Sequence, residues 1–107
     1  MNIWPADSVA IEPEVILANW RVMEVDAGTH HFVGRNVHEQ SGRVSSAIVD
    51  FDRLTMIGRT RSGRIYRLQG DPGYDEDGQY VWSWWHRAHC KSDGKDVTGE
   101  YWLEGAA

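Results

Sequence analysis

The sequence contains a single cysteine, Cys90, which excludes an internal disulfide and fits a reducing compartment. Long apolar runs are also missing. The longest aliphatic run extends from Val15 to Ala18, whereas a helix needs roughly 20 apolar residues to span a bilayer. The first residues have neither the basic start nor the apolar core of a secretory signal. These absences predict a cytoplasmic protein without a membrane partner.

Aromatic residues are abundant in this short chain. The 107 residues include 6 Trp, 4 Tyr and 2 Phe, which is typical of a chain that packs a core rather than one that stays disordered. The length predicts a single domain over residues 1–107. Residues 1–14 contain Pro5 and Pro13 and show little periodicity, so we expect them to form an N-terminal arm.

Charge is unevenly distributed along the chain. The net charge is −5, yet residues 53–70 carry five arginines and no acidic residue. The acidity of the whole chain argues against non-specific nucleic-acid binding, because a phosphate backbone repels a protein with this balance. The arginine-rich stretch still permits a local contact with an anion or a carboxylate.

The hydrophobic pattern predicts mostly short strands and one helix. We expect strands over 16–25, 30–37, 44–51 and 96–103, and a hairpin with arms at 56–57 and 65–68. Apolar residues recur with helical spacing over 79–90, with Asp75 or Asp77 as the N-cap. The fold class is therefore α+β. An antiparallel meander of five or six short strands would carry one aromatic-rich helix on a face.

The hairpin suggests a binding surface. With Ser62-Gly63 as a two-residue loop, Arg61 would lie opposite Arg64, and Arg59 opposite Tyr66, all on one face. Arginine forks bind carboxylates and phosphates bidentately. The sequence leaves three partners open for them: the chain's own Asp50 and Asp52, an acidic protein surface, or nucleic acid.

The predicted helix carries more tryptophan than one buried face can hold. Trp84 and Trp85 can share a face, with Tyr80, Val81 and Ala88 completing its apolar stripe. Trp82 then points away from that pair at 100° per residue. We consider two roles for it, an exposed interface anchor or a cover for the Pro72 loop or the N-terminal arm.

Candidate catalytic and metal-binding residues are few. On a helix, His86, His89 and Cys90 would share one face, which is a permitted arrangement for a metal. A fourth ligand would have to come from His30, His31 or His38, and no second ligand pair is present. The available nucleophiles, such as Ser45, Ser46 and Cys90, lie in no recognisable catalytic motif. We expect no metal, no cofactor and no enzymatic activity.

Four segments carry a resemblance to known proteins: Asn19–Val22, His31–Gly34, Gly42–Ile48 and Thr60–Tyr66. Over roughly residues 19–85 the chain resembles uncharacterised small proteins encoded on phages, plasmids and other mobile elements of proteobacteria. That resemblance supplies no catalytic motif. It implies an accessory protein that acts by stoichiometric binding, as anti-CRISPR and anti-restriction inhibitors do.

These observations predict a non-catalytic protein-binding module. The leading hypothesis is a stoichiometric inhibitor of a bacterial defence complex, of anti-CRISPR or anti-restriction type, whose target handles nucleic acid. The expected contact residues are Arg59, Arg61, Arg64, Tyr66 and Trp82. One alternative is a nucleic-acid-binding β domain that uses the Arg59–Arg67 hairpin, and another is a small histidine-based enzyme. The sequence does not define the oligomeric state.

Overall fold

A computed structural model describes residues 9–26 and 28–102. The α+β prediction is confirmed, since a mixed sheet carries one helix packed on it. In chain order, the elements are β1 (Glu14–Glu24), β2 (His30–Asn36), β3 (Ser41–Val44), β4 (Ile48–Asp52), β5 (Ile57–Thr60), β6 (Ile65–Gln69), α1 (Glu76–His89), β7 (Lys95–Asp96) and a 3-10 turn (Thr98–Glu100).

The strand order is β3-β2-β1-β6-β5-β4, with β7 paired to the end of β1. Neighbouring strands run antiparallel except β1 and β6, which are parallel, so the sheet is mixed rather than the expected antiparallel meander. The cause lies between β3 and β4. The Ser45 amide still donates to the Phe32 carbonyl, and only two residues later the Ala47 carbonyl accepts from the Arg61 amide.

Strands β3 and β4 therefore form one bent segment that pairs first with β2 and then with β5. This segment joins the two outer strands, so the sheet curls into a small barrel. Counted this way, the chain makes five passes around the barrel. Because that number is odd, the first and last passes run parallel where they meet as β1 and β6.

The barrel encloses the main hydrophobic core. Its fully buried members include Leu17, Trp20, Phe32 and Tyr66, and the Phe32 and Tyr66 ring centroids lie 5.5 Å apart. Burying each such side chain contributes about 1.5–3 kcal/mol. The one polar group of the Trp20 ring is satisfied, since its Nε1 donates to the Gly70 carbonyl at 3.0 Å.

Helix α1 lies against the outer side of β2 and β3, at a distance that only glycines permit. A methyl group on Gly78 would lie 2.8 Å from the Gly34 carbonyl oxygen, and one on Gly42 would overlap the Asp77 backbone. The N-cap prediction is confirmed at Asp75, whose carboxylate accepts from the Gly78 amide at 2.8 Å. These contacts fix which side of the helix faces the sheet.

The last part of the described chain differs from the sequence prediction. The strand expected over 96–103 ends at Asp96, and residues 98–100 form a 3-10 turn instead. The Thr98 hydroxyl accepts from the Val22 amide at 3.0 Å, and this holds the turn against β1. Leu103 lies outside the described residues, as do residues 1–8 of the predicted arm and Ala27 of the predicted first turn.

Within the described ranges, no helix has both the length and the apolar character needed to cross a membrane.

Candidate functional site

The hairpin β5–β6 has a different register from the predicted one. Gly58 pairs with Tyr66, Arg59 pairs with Ile65, and the Thr60 amide donates to the Arg64 carbonyl at 3.0 Å. The loop therefore has three residues, 61–63, rather than two. The predicted pairing was wrong by one residue, so it placed the side chains of one arm on the wrong face.

Two of the predicted contact residues lie inside the barrel as a consequence. Tyr66 is 2 % exposed, and its hydroxyl accepts from Arg43 Nε at 3.1 Å. Arg64 is also buried, and its Nε donates to the Glu12 carbonyl at 2.8 Å. Arg43 completes this buried polar cluster through a 3.0 Å ion pair with the Glu12 carboxylate. Tyr66 and Arg64 thus do not share a surface with Arg59.

The Glu12 carboxylate in this cluster responds to two opposing influences. Burial raises its pKa, but the Arg43 charge and hydrogen bonds from Asn36 and Arg43 lower it more. The pKa of Glu12 therefore lies below its ordinary value, and the carboxylate stays ionised beside Arg43.

The outward-facing arginines of the hairpin lie against carboxylates of neighbouring strands. Arg59 forms an ion pair with Asp50 on β4, and Arg67 forms one with Glu14 on β1. The sequence left Asp50 and Asp52 open as intramolecular partners. Of these two, Arg59 contacts Asp50. Arg61 is exposed at the hairpin tip, and within residues 9–26 and 28–102 no hydrogen bond or ion pair engages its side chain.

The orientation of helix α1 reverses the predicted one. Trp82 is only 6 % exposed and stacks on Trp85, with ring centroids 5.5 Å apart, and on His86 at 5.3 Å. It is therefore a packing residue and not the exposed anchor considered from the sequence. The close approach at Gly78 explains this, because Trp82 lies one turn further along the same side of the helix.

The opposite side of α1 carries the exposed aromatic residues. Tyr80 is 40 % exposed and Trp84 is 47 % exposed, and their rings make an edge contact at 6.5 Å. The Arg87 guanidinium lies over the Trp84 ring, 5.2 Å from its centroid. Glu76 is exposed one turn before Tyr80. We call Glu76, Tyr80, Trp84 and Arg87 the outer helix face.

Sequence analysis missed this face because it placed Tyr80 and Trp84 in the buried stripe. Two signals in the sequence point the other way. Gly78 lies inside the helix, where a glycine indicates close approach of another backbone. Trp82 and Trp85 follow it at spacings of four and seven, which defines an alternative buried stripe.

A groove of about 510 Å³ lies beside the outer helix face, between the second half of α1 and the segment that follows it. Met23 and Trp82 supply apolar lining, while His86, Arg87 and Asp93 supply polar lining. Arg87 belongs to both the groove and the outer helix face, so the two form a continuous surface.

The candidate metal ligands are not assembled. His86 Nε2 is 2.6 Å from the Ser92 carbonyl oxygen, and His89 Nδ1 is 2.8 Å from the Trp85 carbonyl oxygen, so both rings donate to backbone. Burial and the nearby Asp26 carboxylate raise the pKa of Cys90, which keeps the thiol protonated. In the described part of the chain, no three His, Cys, Asp or Glu side chains are placed to hold a metal ion.

One arrangement has the pattern of a proton relay. His30 Nδ1 lies 2.6 Å from the Tyr101 hydroxyl, and His30 Nε2 lies 3.0 Å from a Glu24 carboxylate oxygen. Because the carboxylate only accepts, Nε2 donates to Glu24, and in a neutral ring Nδ1 then accepts from the Tyr101 hydroxyl. However, burial and the Glu100 charge raise the pKa of Tyr101, so the phenol is not activated as a nucleophile. The arrangement ties the last turn to β1 and β2.

His31 lies at the junction between the helix and the barrel. It is buried, its Nδ1 donates to the Ser45 carbonyl at 2.8 Å, and its ring centroid is 4.7 Å from that of Trp85. Burial lowers its pKa by more than the hydrogen bond to the Ser45 carbonyl raises it, and the positive charge of nearby Arg61 lowers it further. His31 is therefore a neutral packing residue in the folded protein.

Comparison with known proteins returns no family model, curated protein or solved structure that matches the chain. The described residues define a small curled barrel with one external helix, and the outer side of that helix is its most distinctive surface.

Proposed function

We propose that this chain is a non-catalytic protein-binding module that contacts its partner through the outer helix face. One observation carries the proposal: Tyr80 and Trp84 are exposed side by side on a helix whose opposite side is held against the sheet. Tryptophan, tyrosine and arginine are the residues that most often dominate binding energy at protein interfaces.

The rigidity of the helix supports this role. The contacts of Gly78 with Gly34 and of Gly42 with Asp77 hold the helix in one orientation before any partner arrives. The Arg87 side chain is already stacked on Trp84. A preorganised face loses less conformational entropy on binding than a flexible one, and more of the contact energy becomes affinity.

The chemistry of the surface and the resemblance together suggest the class of partner. A net charge of −5 favours association with a basic surface, which is typical of complexes that handle nucleic acid. The resemblance to proteins of mobile elements implies stoichiometric binding. We therefore propose a bacterial defence complex as the target, inhibited in the manner of anti-CRISPR or anti-restriction proteins.

The two alternatives have weaker support. For nucleic-acid binding, the hairpin would need several free cations, but Arg59 and Arg67 are paired with Asp50 and Glu14, which leaves Arg61 at the tip. For an enzyme, the best candidate is the Glu24–His30–Tyr101 arrangement, in which the nucleophile has a raised pKa.

The proposal is tested by affinity capture from a proteobacterial lysate with Trp84→Ala and a matched control. Leu54→Ala is the control, because Leu54 is 96 % exposed on the turn between β4 and β5. We expect the unmodified chain and Leu54→Ala to retain one stoichiometric protein partner after nuclease treatment, and Trp84→Ala to lose it.

Two results would contradict this proposal. Equal retention of the partner by Trp84→Ala would remove the outer helix face from the interface. Recovery of nuclease-sensitive material alone, with binding that strengthens steeply as salt falls, would favour the nucleic-acid-binding alternative.

A further inference from the structure

We infer that the outer helix face also pairs with a second copy of this chain, with the two α1 helices antiparallel about a two-fold axis. A symmetric dimer needs a surface that is complementary to itself. The outer helix face has this property, because its charges of opposite sign lie at opposite ends of an aromatic centre.

The spacing along the helix sets the geometry of this pair. Glu76 lies four residues before Tyr80, and Arg87 lies three residues after Trp84. A two-fold axis that passes between Tyr80 and Trp84 brings Tyr80 of one copy onto Trp84 of the other. The same axis brings Glu76 of each copy beside Arg87 of its partner, whereas a parallel pair would place like charges together.

Both charged groups are available for this contact. No hydrogen bond or ion pair engages the Glu76 side chain within the ranges that the structure covers, while its neighbour Asp77 is paired with Arg35 at 2.8 Å. Arg87 uses the face of its guanidinium on Trp84. Arg87 is exposed, and no hydrogen bond or ion pair within residues 9–26 and 28–102 engages the N–H donors at the edge of that plane, so they can bind a carboxylate.

The dimensions of α1 limit the strength of the dimer. A helix of 14 residues is about 21 Å long. Two such helices in contact bury less than the roughly 800 Å² per partner of a standard stable interface. The dimer should therefore be weak, and the fraction of dimer should rise with protein concentration.

The self-pairing covers the face that we propose for the bacterial partner. The effect of self-pairing on partner binding therefore rests on the proposed function, whereas the self-pairing itself does not. Dimerisation would shield Tyr80 and Trp84 when the protein is concentrated, and a partner would have to compete with the second copy.

Sedimentation equilibrium on the full chain tests the pairing over a range of concentrations. We expect the weight-average mass to rise from that of a monomer toward that of a dimer. Trp84→Ala should weaken the dimer roughly tenfold or more, and Leu54→Ala should leave it unchanged. Thermal unfolding monitored by circular dichroism verifies that each variant is folded.

A charge exchange makes the test specific for the antiparallel arrangement. Glu76→Arg and Arg87→Glu each place like charges at both ends of the pair, so each variant alone should remain monomeric. An equimolar mixture of the two restores both attractions and should dimerise as the unmodified chain does.

Three results would overturn the inference: a monomer mass at every concentration, a dimer that Leu54→Ala weakens as much as Trp84→Ala, or no recovery in the mixture. None of these bears on the proposed function, which is decided by capture of the partner with Trp84→Ala. A failure of one proposal is therefore distinguishable from a failure of the other.

Discussion

The β5–β6 hairpin and helix α1 both expose charged side chains, but the partners of these charges differ. On the hairpin, each paired arginine lies directly against a carboxylate of the neighbouring strand, as Arg59 does with Asp50 and Arg67 with Glu14. On the helix, Glu76 and Arg87 lie at opposite ends of an aromatic centre. Arg59 and Arg67 of the hairpin are therefore satisfied within the chain, whereas Glu76 and Arg87 of the helix remain available to another molecule.

This difference shows that a run of like charges in the sequence does not by itself predict which charges remain unpaired on the surface. Residues 53–70 contain five arginines without an acid, yet neighbouring strands of the sheet supply carboxylates to two of them, Asp50 to Arg59 and Glu14 to Arg67. Among the described residues, the outer side of the helix has no such neighbour, because the helix contacts the sheet through its inner side at Gly78.

The largest effect is expected from Gly78→Ala, which should detach the helix. Alanine normally stabilises a helix interior by about 1 kcal/mol relative to glycine. Here its methyl group would lie 2.8 Å from the Gly34 carbonyl, so we expect a loss of about 3 kcal/mol or more in the free energy of unfolding. Chemical denaturation measures this loss. Gly99→Ala is the control, since nothing lies within 4 Å of a methyl group there; an equal response of both variants would refute the close contact.

Glu12→Gln should have the next largest effect, because it leaves Arg43 buried without its carboxylate. Removing one member of a fully buried ion pair costs about 3–5 kcal/mol, and we expect about 2 kcal/mol here because the Glu12 side chain is partly exposed and glutamine can still accept a hydrogen bond. We expect a lower midpoint in urea, with binding through the outer helix face retained by the molecules that remain folded. A loss below about 1 kcal/mol would mean that Arg43 finds another partner.

The pH dependence of stability tests the helix–barrel junction at His31. Because the pKa of His31 is lowered by folding, the unfolded chain takes up the proton more readily. The contribution of neutral His31 to the free energy of unfolding is fully present above about pH 6.5 and is lost as the pH falls toward the lower pKa of the folded state. We therefore expect the protein to be less stable at pH 5 than at pH 7 because of this residue. His31→Gln should flatten that slope while exposed His38→Gln should not; an unchanged slope in His31→Gln would exclude the junction as its source.

The smallest effect is expected from Arg59→Ala on the hairpin. Its ion pair with Asp50 is exposed, and such pairs contribute about 0.5 kcal/mol or less. We expect stability and partner binding to match those of Arg61→Ala within error, measured by denaturation and by affinity capture. Abolished binding in Arg59→Ala would return the interface to the hairpin.

Local signals in the sequence predicted much of the fold. Alternation located β1, β2, β6 and most of β4, although it missed the break before β4 and wrongly continued a strand beyond Asp96, and the Asp75 carboxylate predicted the start of the helix. The register of β5–β6 was missed because a two-residue loop at Ser62-Gly63 and the observed three-residue loop have similar turn chemistry. That slip of one residue placed Tyr66 on the surface instead of in the core.

The orientation of the helix depends on contacts that the apolar periodicity alone does not reveal. Apolar residues occupy both of its sides, so periodicity alone does not distinguish Trp82 from Trp84. The close approach of Gly78 to Gly34 determines which side of the helix faces the sheet. These two residues are 44 positions apart and belong to different elements. The fold class followed from patterns within elements, and the candidate site followed from packing between them.

Amide hydrogen exchange on the complex with the captured partner tests directly whether the outer helix face forms the interface. We expect slower amide exchange over α1, residues 76–89, when the partner is bound, and no change over the hairpin, residues 57–69. Protection of the hairpin with an unchanged helix would contradict it and would assign the interface to the arginines instead.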